Sequence, residues 1–191
     1  MAAPMEKISD EKQGPYAAQN YWDLPEGRRA ELINGELYDL ASPSRTHQRI
    51  VLGTAYAMQR YVEEHDGPCE VNVAPLAVNL FGDDSVLVEP DVLVVCDPGK
   101  LSDRGCEGAP DLVVEVVSPS MRTHDYLRKA VLYERAGVQE YWIVDPETRQ
   151  TAVYRYGSGD PDALRLALYP FDGPVPAGIW DGFSLTIASL L

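Results

Sequence analysis

The chain has 191 residues, 45% of them hydrophobic, and sets 16 Lys+Arg against 30 Asp+Glu for a formal net charge of −14. That length and content suit one domain around a single core, and no apolar run approaches the ~20 residues that span a bilayer. So acidic a sum argues against a nucleic-acid partner, since phosphate binding normally calls for a basic surface. Two segments run the other way. Arg45, Arg49 and Arg60 stand between Pro43 and Arg60 without an acid, and Arg122, Arg128, Lys129 and Arg135 outnumber Asp125 and Glu134 between Met121 and Arg135. Either these are ordinary solvated helix faces or they flank a site.

From the N-terminus, residues 1–18 read as a disordered leader. Glu6, Lys7, Asp10, Glu11 and Lys12 leave no apolar segment of the kind a secretory signal needs. Residues 19–191 then form one domain. Glu31–Ile33 and Glu36–Tyr38 read as strands joined by Asn34-Gly35, whose residues tolerate the positive φ of a two-residue hairpin. Ser44 or Thr46 caps a helix to about Glu64, with Ile50, Thr54, Ala57, Met58 and Tyr61 on one face. Cys69–Leu80 alternates apolar and polar residues around Pro75, as one or two strands; Ser85–Cys96 is a further strand system. Asp111–Val117 has the apolar, β-branched run of a strand buried on both faces. A helix over Thr123–Ala136 stops at Gly137, and Glu140–Val144, Thr151–Tyr156 and Leu164–Tyr169 complete a mixed α/β pattern. Cys69, Cys96 and Cys106 are odd in number and lack metal-ligand spacing, which predicts neither a disulfide framework nor structural zinc, and a cytoplasmic location.

The chemistry concentrates between residues 89 and 129. Asp91 follows Glu89-Pro90 at the mouth of one apolar run, Glu115 sits inside the next, and Lys129 lies on the helix after it. Two carboxylates can hold a hard divalent cation, and a nearby ammonium can stabilise an attacking hydroxide, which together suit metal-assisted phosphodiester cleavage. Asp91 taken singly is a common turn residue. Glu115 is harder to dismiss, since an unpaired carboxylate in Leu112–Val117 would cost several kcal/mol. A metal, Lys129 or an arginine must answer it. At about 100° per residue, Lys129 and Asp125 share a helix sector with Leu132, Tyr133 and Ala136, while Arg128 and Arg135 point elsewhere. His47 lies on the apolar side of its helix, as a core or substrate-facing histidine; His65 and His124 read as exposed. Ser118 closes the second run with no nucleophile elbow around it.

These residues carry a resemblance. Glu31-Leu32-Ile33-Asn34-Gly35-Glu36-Leu37, His47-Gln48-Arg49-Ile50, Glu89-Pro90-Asp91-Val92, Pro110–Ser120 with Glu115, then Asp125, Lys129 and Gly137–Asp145 resemble, in order and spacing, the Uma family of bacterial proteins. That family is restriction-endonuclease-like, within the PD-(D/E)xK nuclease superfamily. The resemblance runs from about Tyr21 to Leu191. It implies an α+β fold: a central mixed sheet flanked by helices, with an N-terminal β-hairpin. It implies that Asp91, Glu115 and the Val116 backbone carbonyl bind Mg²⁺ (or Mn²⁺), with Glu31 as an extra contact unless it is a plain strand-edge glutamate; Glu36 is a weaker candidate. The superfamily lysine belongs two residues after the second acid, where this chain has Val117. In the Uma pattern it moves to the following helix, at Lys129. Arg45, His47, Arg49, Ser118, Arg122 and Asp125 are the candidate substrate contacts.

Three functions fit these residues: a Mg²⁺-dependent endonuclease acting on DNA, a non-catalytic binding or regulatory module that kept the fold and a metal pocket, and a structural protein whose Glu115–Lys129 pair satisfies burial. Retention of Asp91, Glu115 and Lys129 together favours the first. Cleavage of both duplex strands by single-site chains further suggests a homodimer, with Tyr154, Tyr156, Leu166, Leu168 and Tyr169 as its surface.

Overall fold

The computed structural model describes residues 15–118, 123–157 and 166–191, and of residues 123–125 the backbone alone. In chain order the elements are α1 (Ala18–Trp22), β1 (Ala30–Ile33), β2 (Glu36–Asp39), α2 (Arg45–Glu64), β3 (Glu70–Val73), β4 (Val78–Asn79), β5 (Val86–Val88), β6 (Val92–Val95), β7 (Leu101–Ser102), β8 (Gly105–Glu107), β9 (Leu112–Val116), α3 (Thr123–Ala136), β10 (Glu140–Asp145), β11 (Gln150–Arg155), β12 (Leu166–Pro170), β13 (Val175–Pro176) and β14 (Ser184–Leu185). The main sheet runs β12-β11-β10-β9-β6-β3. A second sheet runs β2-β1-β5-β4-β8-β7. In the main sheet β9 and β10 are parallel, joined through α3, while its other pairs are antiparallel. Parallel neighbours need such a crossover, and a helix supplies it.

The two-residue period of the strands sorts the core. Val92, Val94, Leu112, Val114, Trp142 and Val144 point to one side, where Ile50 and Met58 of α2 cover them. Leu93, Val95, Val113 and Tyr141 point to the other, under Ala130, Leu132 and Tyr133 of α3 and against Ile33, Val78, Leu80, Val86 and Val88 of the second sheet. Thus the residues at 93 and 95 and at 113 and 115 turn toward α3.

Local signals account for the boundaries. Asn34 and Gly35 both take positive φ, 52° and 81°, so the hairpin closes as their residue types require. The Ser44 side chain accepts from His47 N–H at 3.2 Å and caps α2. Gly137, at φ 94°, ends α3 with its N–H and that of Val138 on the Tyr133 carbonyl. At the N-terminal end, Tyr16 N–H donates to the Gly35 carbonyl at 2.8 Å, which lays residue 16 against the hairpin. The sheet strand expected from Leu164 is described from Leu166 onward.

One sequence expectation fails. Cys69 and Cys96 form a disulfide. β3 and β6 pair antiparallel with Glu70 opposite Val95, so one further step sets residues 69 and 96 across from each other. An odd count hid this, because Cys106 is buried on the second sheet and takes no part. Of the residues expected to pair two chains, Leu166 and Leu168 are exposed on β12. Tyr154 instead stacks on Tyr141, and Tyr156 on Tyr154. No helix among the described residues is long and apolar enough to cross a membrane.

Candidate active site

β6 and β9 pair through Val92 and Val114, and one position further along the same register Asp91 stands opposite Glu115. The backbone ladder stops there and a side chain continues it. Asp91 Oδ2 accepts from Val116 N–H at 2.8 Å, and His47 Nε2 lies 3.0 Å from the same oxygen. The capped first turn of α2 places that imidazole. Its Nδ1 is buried without a hydrogen-bond partner.

Glu115, 4% exposed, points from near the C-terminal end of β9 toward α3. Its Oε1 accepts from Lys129 Nζ at 2.8 Å and from the Tyr133 hydroxyl at 3.1 Å. Lys129 and Tyr133 are four apart on α3 and therefore share a face. The same ammonium donates to Glu31 Oε1 at 2.7 Å, from β1 of the second sheet. Glu31 is fully buried, and its Oε1 also accepts the backbone N–H of Glu89 at 3.1 Å, while Oε2 has no partner. Glu89 is fixed in turn by the Tyr21 hydroxyl (2.8 Å) and Arg29 Nε (2.7 Å), which tie α1 and β1 to the Glu-Pro-Asp turn.

Lys129 thus links Glu31 and Glu115, while His47 contacts Asp91 on the neighbouring strand. Burial pushes the Glu115 carboxyl up to about 7; the Lys129 charge opposes the rise, while Asp91 and Glu31 add to it. For Lys129, burial favours the neutral amine, but Glu115 and Glu31 outweigh it and hold the ammonium above the ordinary lysine range. Lys129 is therefore a fixed positive charge rather than a base. Replacing Tyr133 by phenylalanine removes a donor to a buried carboxylate and should destabilise the fold by about 1.5–3 kcal/mol. Urea unfolding checks this, and a change within a few tenths would mean that the hydroxyl does not support Glu115.

The remaining candidates lie as follows. The Val116 carbonyl is 3.5 Å from the Tyr126 hydroxyl, which also meets Ser118 N–H at 3.3 Å. Val117 is half-buried and its N–H donates to the Val144 carbonyl. Glu36 is held by the Tyr38 hydroxyl, which Arg128 also reaches. Arg45 and Arg49 are exposed on α2. Arg122 and the side chain of Asp125 lie outside the described residues, as does that of His124. His65 is exposed, stacked on Tyr61. The sequence reading missed Tyr133 as a polar partner, although its spacing from Lys129 was a signal. It also missed the Asp91–His47 contact and the Tyr21–Glu89–Arg29 group, which rest on long-range pairing that no local pattern shows.

Among the described residues, no group of three or more His, Cys, Asp or Glu side chains is arranged to hold a metal ion. The local donor set nevertheless fits Mg²⁺. Two carboxylates from adjacent strands and a backbone carbonyl are all hard oxygen donors, and Mg²⁺ characteristically takes one or two carboxylates and keeps several waters. Beside them, Glu31 Oε2 is buried without a hydrogen-bond partner.

A mixed sheet with acids on two adjacent strands and an ammonium delivered from the crossover helix defines an α+β protein of the restriction-endonuclease-like class. The chain belongs to the Uma2 family, described as "Putative restriction endonuclease", whose model matches residues 18–188. A Synechocystis sp. protein, "Uncharacterized protein slr1290", is 26% identical over 166 residues, 86% of this chain and 82% of that one. A crystal structure from Anabaena variabilis, described as "a putative nuclease belonging to DUF820", is 20% identical, covers 92% of this chain and 97% of its own, and superposes with a TM-score of 0.75. That last likeness carries the fold.

Proposed function

We propose that the protein is a Mg²⁺-dependent endonuclease that hydrolyses DNA phosphodiester bonds. The observation that carries this reading is the meeting of Asp91 and Glu115 across β6 and β9 beside Lys129. Asp91, Glu115 and the Val116 carbonyl would hold the ion, with Glu31 adjacent. Bound there, Mg²⁺ would supply Lewis-acid polarisation of the phosphate and a lowered pKa for its water. The chain's own groups do the positioning. His47 and Val116 N–H orient the Asp91 carboxylate, Tyr133 and Lys129 orient that of Glu115, and the Lys129 charge offsets the negative charge that builds on a pentavalent phosphorus.

Incubation of the purified protein with labelled single- and double-stranded DNA in Mg²⁺ or Mn²⁺ tests the proposal. Chain scission is expected with either metal and should stop on addition of EDTA. Metal should also raise the melting temperature, because it binds the folded form and relieves carboxylate repulsion. Two observations favour a second reading, that of a non-catalytic module. Val117 stands at the usual lysine position, and Lys129 is 3% exposed and already shared between two carboxylates. Metal-dependent stabilisation without scission under any metal and substrate would select that reading.

A further inference from the structure

Helix α2 covers the main sheet with one face and leaves another uncovered. At about 100° per residue, Arg45, Arg49, Leu52 and Tyr56 fall within an arc of about 60°, with Arg60 at its border. All five are exposed, Leu52 at 73% and Tyr56 at 66% of full solvent exposure. Arg60 is engaged by Glu64 at 3.1 Å. Arg45 and Arg49 meet no carboxylate among the described residues, and no acid lies between Pro43 and Arg60. In a chain of net charge −14, this is an unneutralised cationic stripe that leads directly into an aliphatic and an aromatic side chain. The stripe begins in the first turn of α2, and that turn carries His47, which contacts Asp91, on its opposite, buried face, two residues from each arginine.

We infer that this face binds single-stranded nucleic acid. The inference takes its ligand class from the nuclease reading above but does not depend on cleavage. The stripe has two chemistries that one ligand must satisfy together. Guanidinium groups recognise phosphate, and an exposed phenol ring beside an isobutyl group offers a platform for a base face. A duplex presents phosphates but keeps its base faces stacked inside, so Leu52 and Tyr56 would meet only sugar and charge. An unpaired strand presents both, with its backbone on Arg45 and Arg49 and a base on Tyr56, in the manner of single-strand grooves that combine cationic tracks with aromatic rings. A strand laid along the outer face of α2 toward its first turn reaches the helix end whose inner face carries His47, one helix diameter (~10 Å) away. One strand cut per encounter then requires no second copy of the chain.

The test is fluorescence anisotropy in EDTA with a labelled oligothymidine of about 20 nucleotides and a duplex of the same length. The single strand should bind more tightly than the duplex. Tyr56→Ala should weaken single-strand binding about tenfold and leave the duplex unchanged. The Arg45→Ala/Arg49→Ala variant should reduce the slope of log K against log salt by about 1.4 between about 50 and 200 mM, two contacts at about 0.7 each. Val131→Ala, an exposed apolar position on α3, should change nothing. Equal affinity for both ligands with Tyr56→Ala silent would overturn the inference, as would a lighter sedimenting species in Tyr56→Ala, which would make the face a protein contact. Tyr56-dependent binding without scission in Mg²⁺ would sustain this inference and remove the nuclease reading. Scission that neither variant alters would do the reverse.

Discussion

Lys129→Met should lose about 3–5 kcal/mol of folding stability at neutral pH, the usual consequence of removing one member of a buried ion pair and stranding the other. Here two carboxylates are stranded, Glu31 at 2.7 Å and Glu115 at 2.8 Å from the missing ammonium. Most of the loss should return when Glu31→Gln and Glu115→Gln are added, since neutral amides no longer require a counter-charge. The loss should also depend on pH. Glu115 binds its proton near pH 7 in the fold, against an ordinary value of 4.5. Between those limits the folded state holds more protons than the unfolded chain. The contribution of Glu115 is therefore fully present below about 4.5 and lost as pH rises through about 7, at no more than about 1.4 kcal/mol per unit. Stability of the parent protein should fall with rising pH across that window, Glu115→Gln should flatten the fall, and the Lys129→Met deficit should shrink toward pH 5. Urea denaturation at several pH values measures all three. A deficit below about 1 kcal/mol at pH 7.5 would show that water, not Lys129, satisfies these carboxylates.

Much of the architecture was legible because it is encoded locally. Asn34-Gly35 fixes a hairpin by backbone sterics, Ser44 starts α2, and Gly137 ends α3 where the apolar period of that helix stops. The placement of Glu115 within a β-branched run announced a buried carboxylate, and the helical phase of Lys129 put its ammonium toward the sheet rather than the solvent. Pairing across the sheets was not legible. Which strand lies beside β6 is a matter of global packing, and with it go the Cys69–Cys96 bond, the second sheet as a unit, and the approach of Glu31 to Lys129 across 98 residues of chain. The same limit explains His47. Its position on the apolar side of α2 was readable, but its contact with Asp91 depends on how α2 crosses β6. Tyr133 was grouped with the apolar sector because a tyrosine hydroxyl declares itself only once its partner is known.

Asp91→Asn should separate chemistry from architecture. The amide oxygen can keep the hydrogen bond from Val116 N–H (2.8 Å) and the contact with His47 (3.0 Å), so the β6–β9 junction stays in place. Asp91 is also only partly buried, with 18% of its side chain exposed, and stability should fall by no more than about 1 kcal/mol. What the variant lacks is a formal negative charge on one of the two carboxylates that would hold Mg²⁺. Metal ions contribute several kcal/mol to the transition state of phosphoryl hydrolysis, and each ~1.4 kcal/mol is a factor of ten. Scission should therefore slow by about 10³-fold or more, and the metal-induced rise in melting temperature should vanish. Lys129→Met should also lose scission, but through a fold already weakened; Asp91→Asn should lose it in a protein that melts almost as the parent does in EDTA. A variant that cuts DNA at the parental rate, or that keeps its full metal-dependent rise in melting temperature, would place the metal and the chemistry away from Asp91.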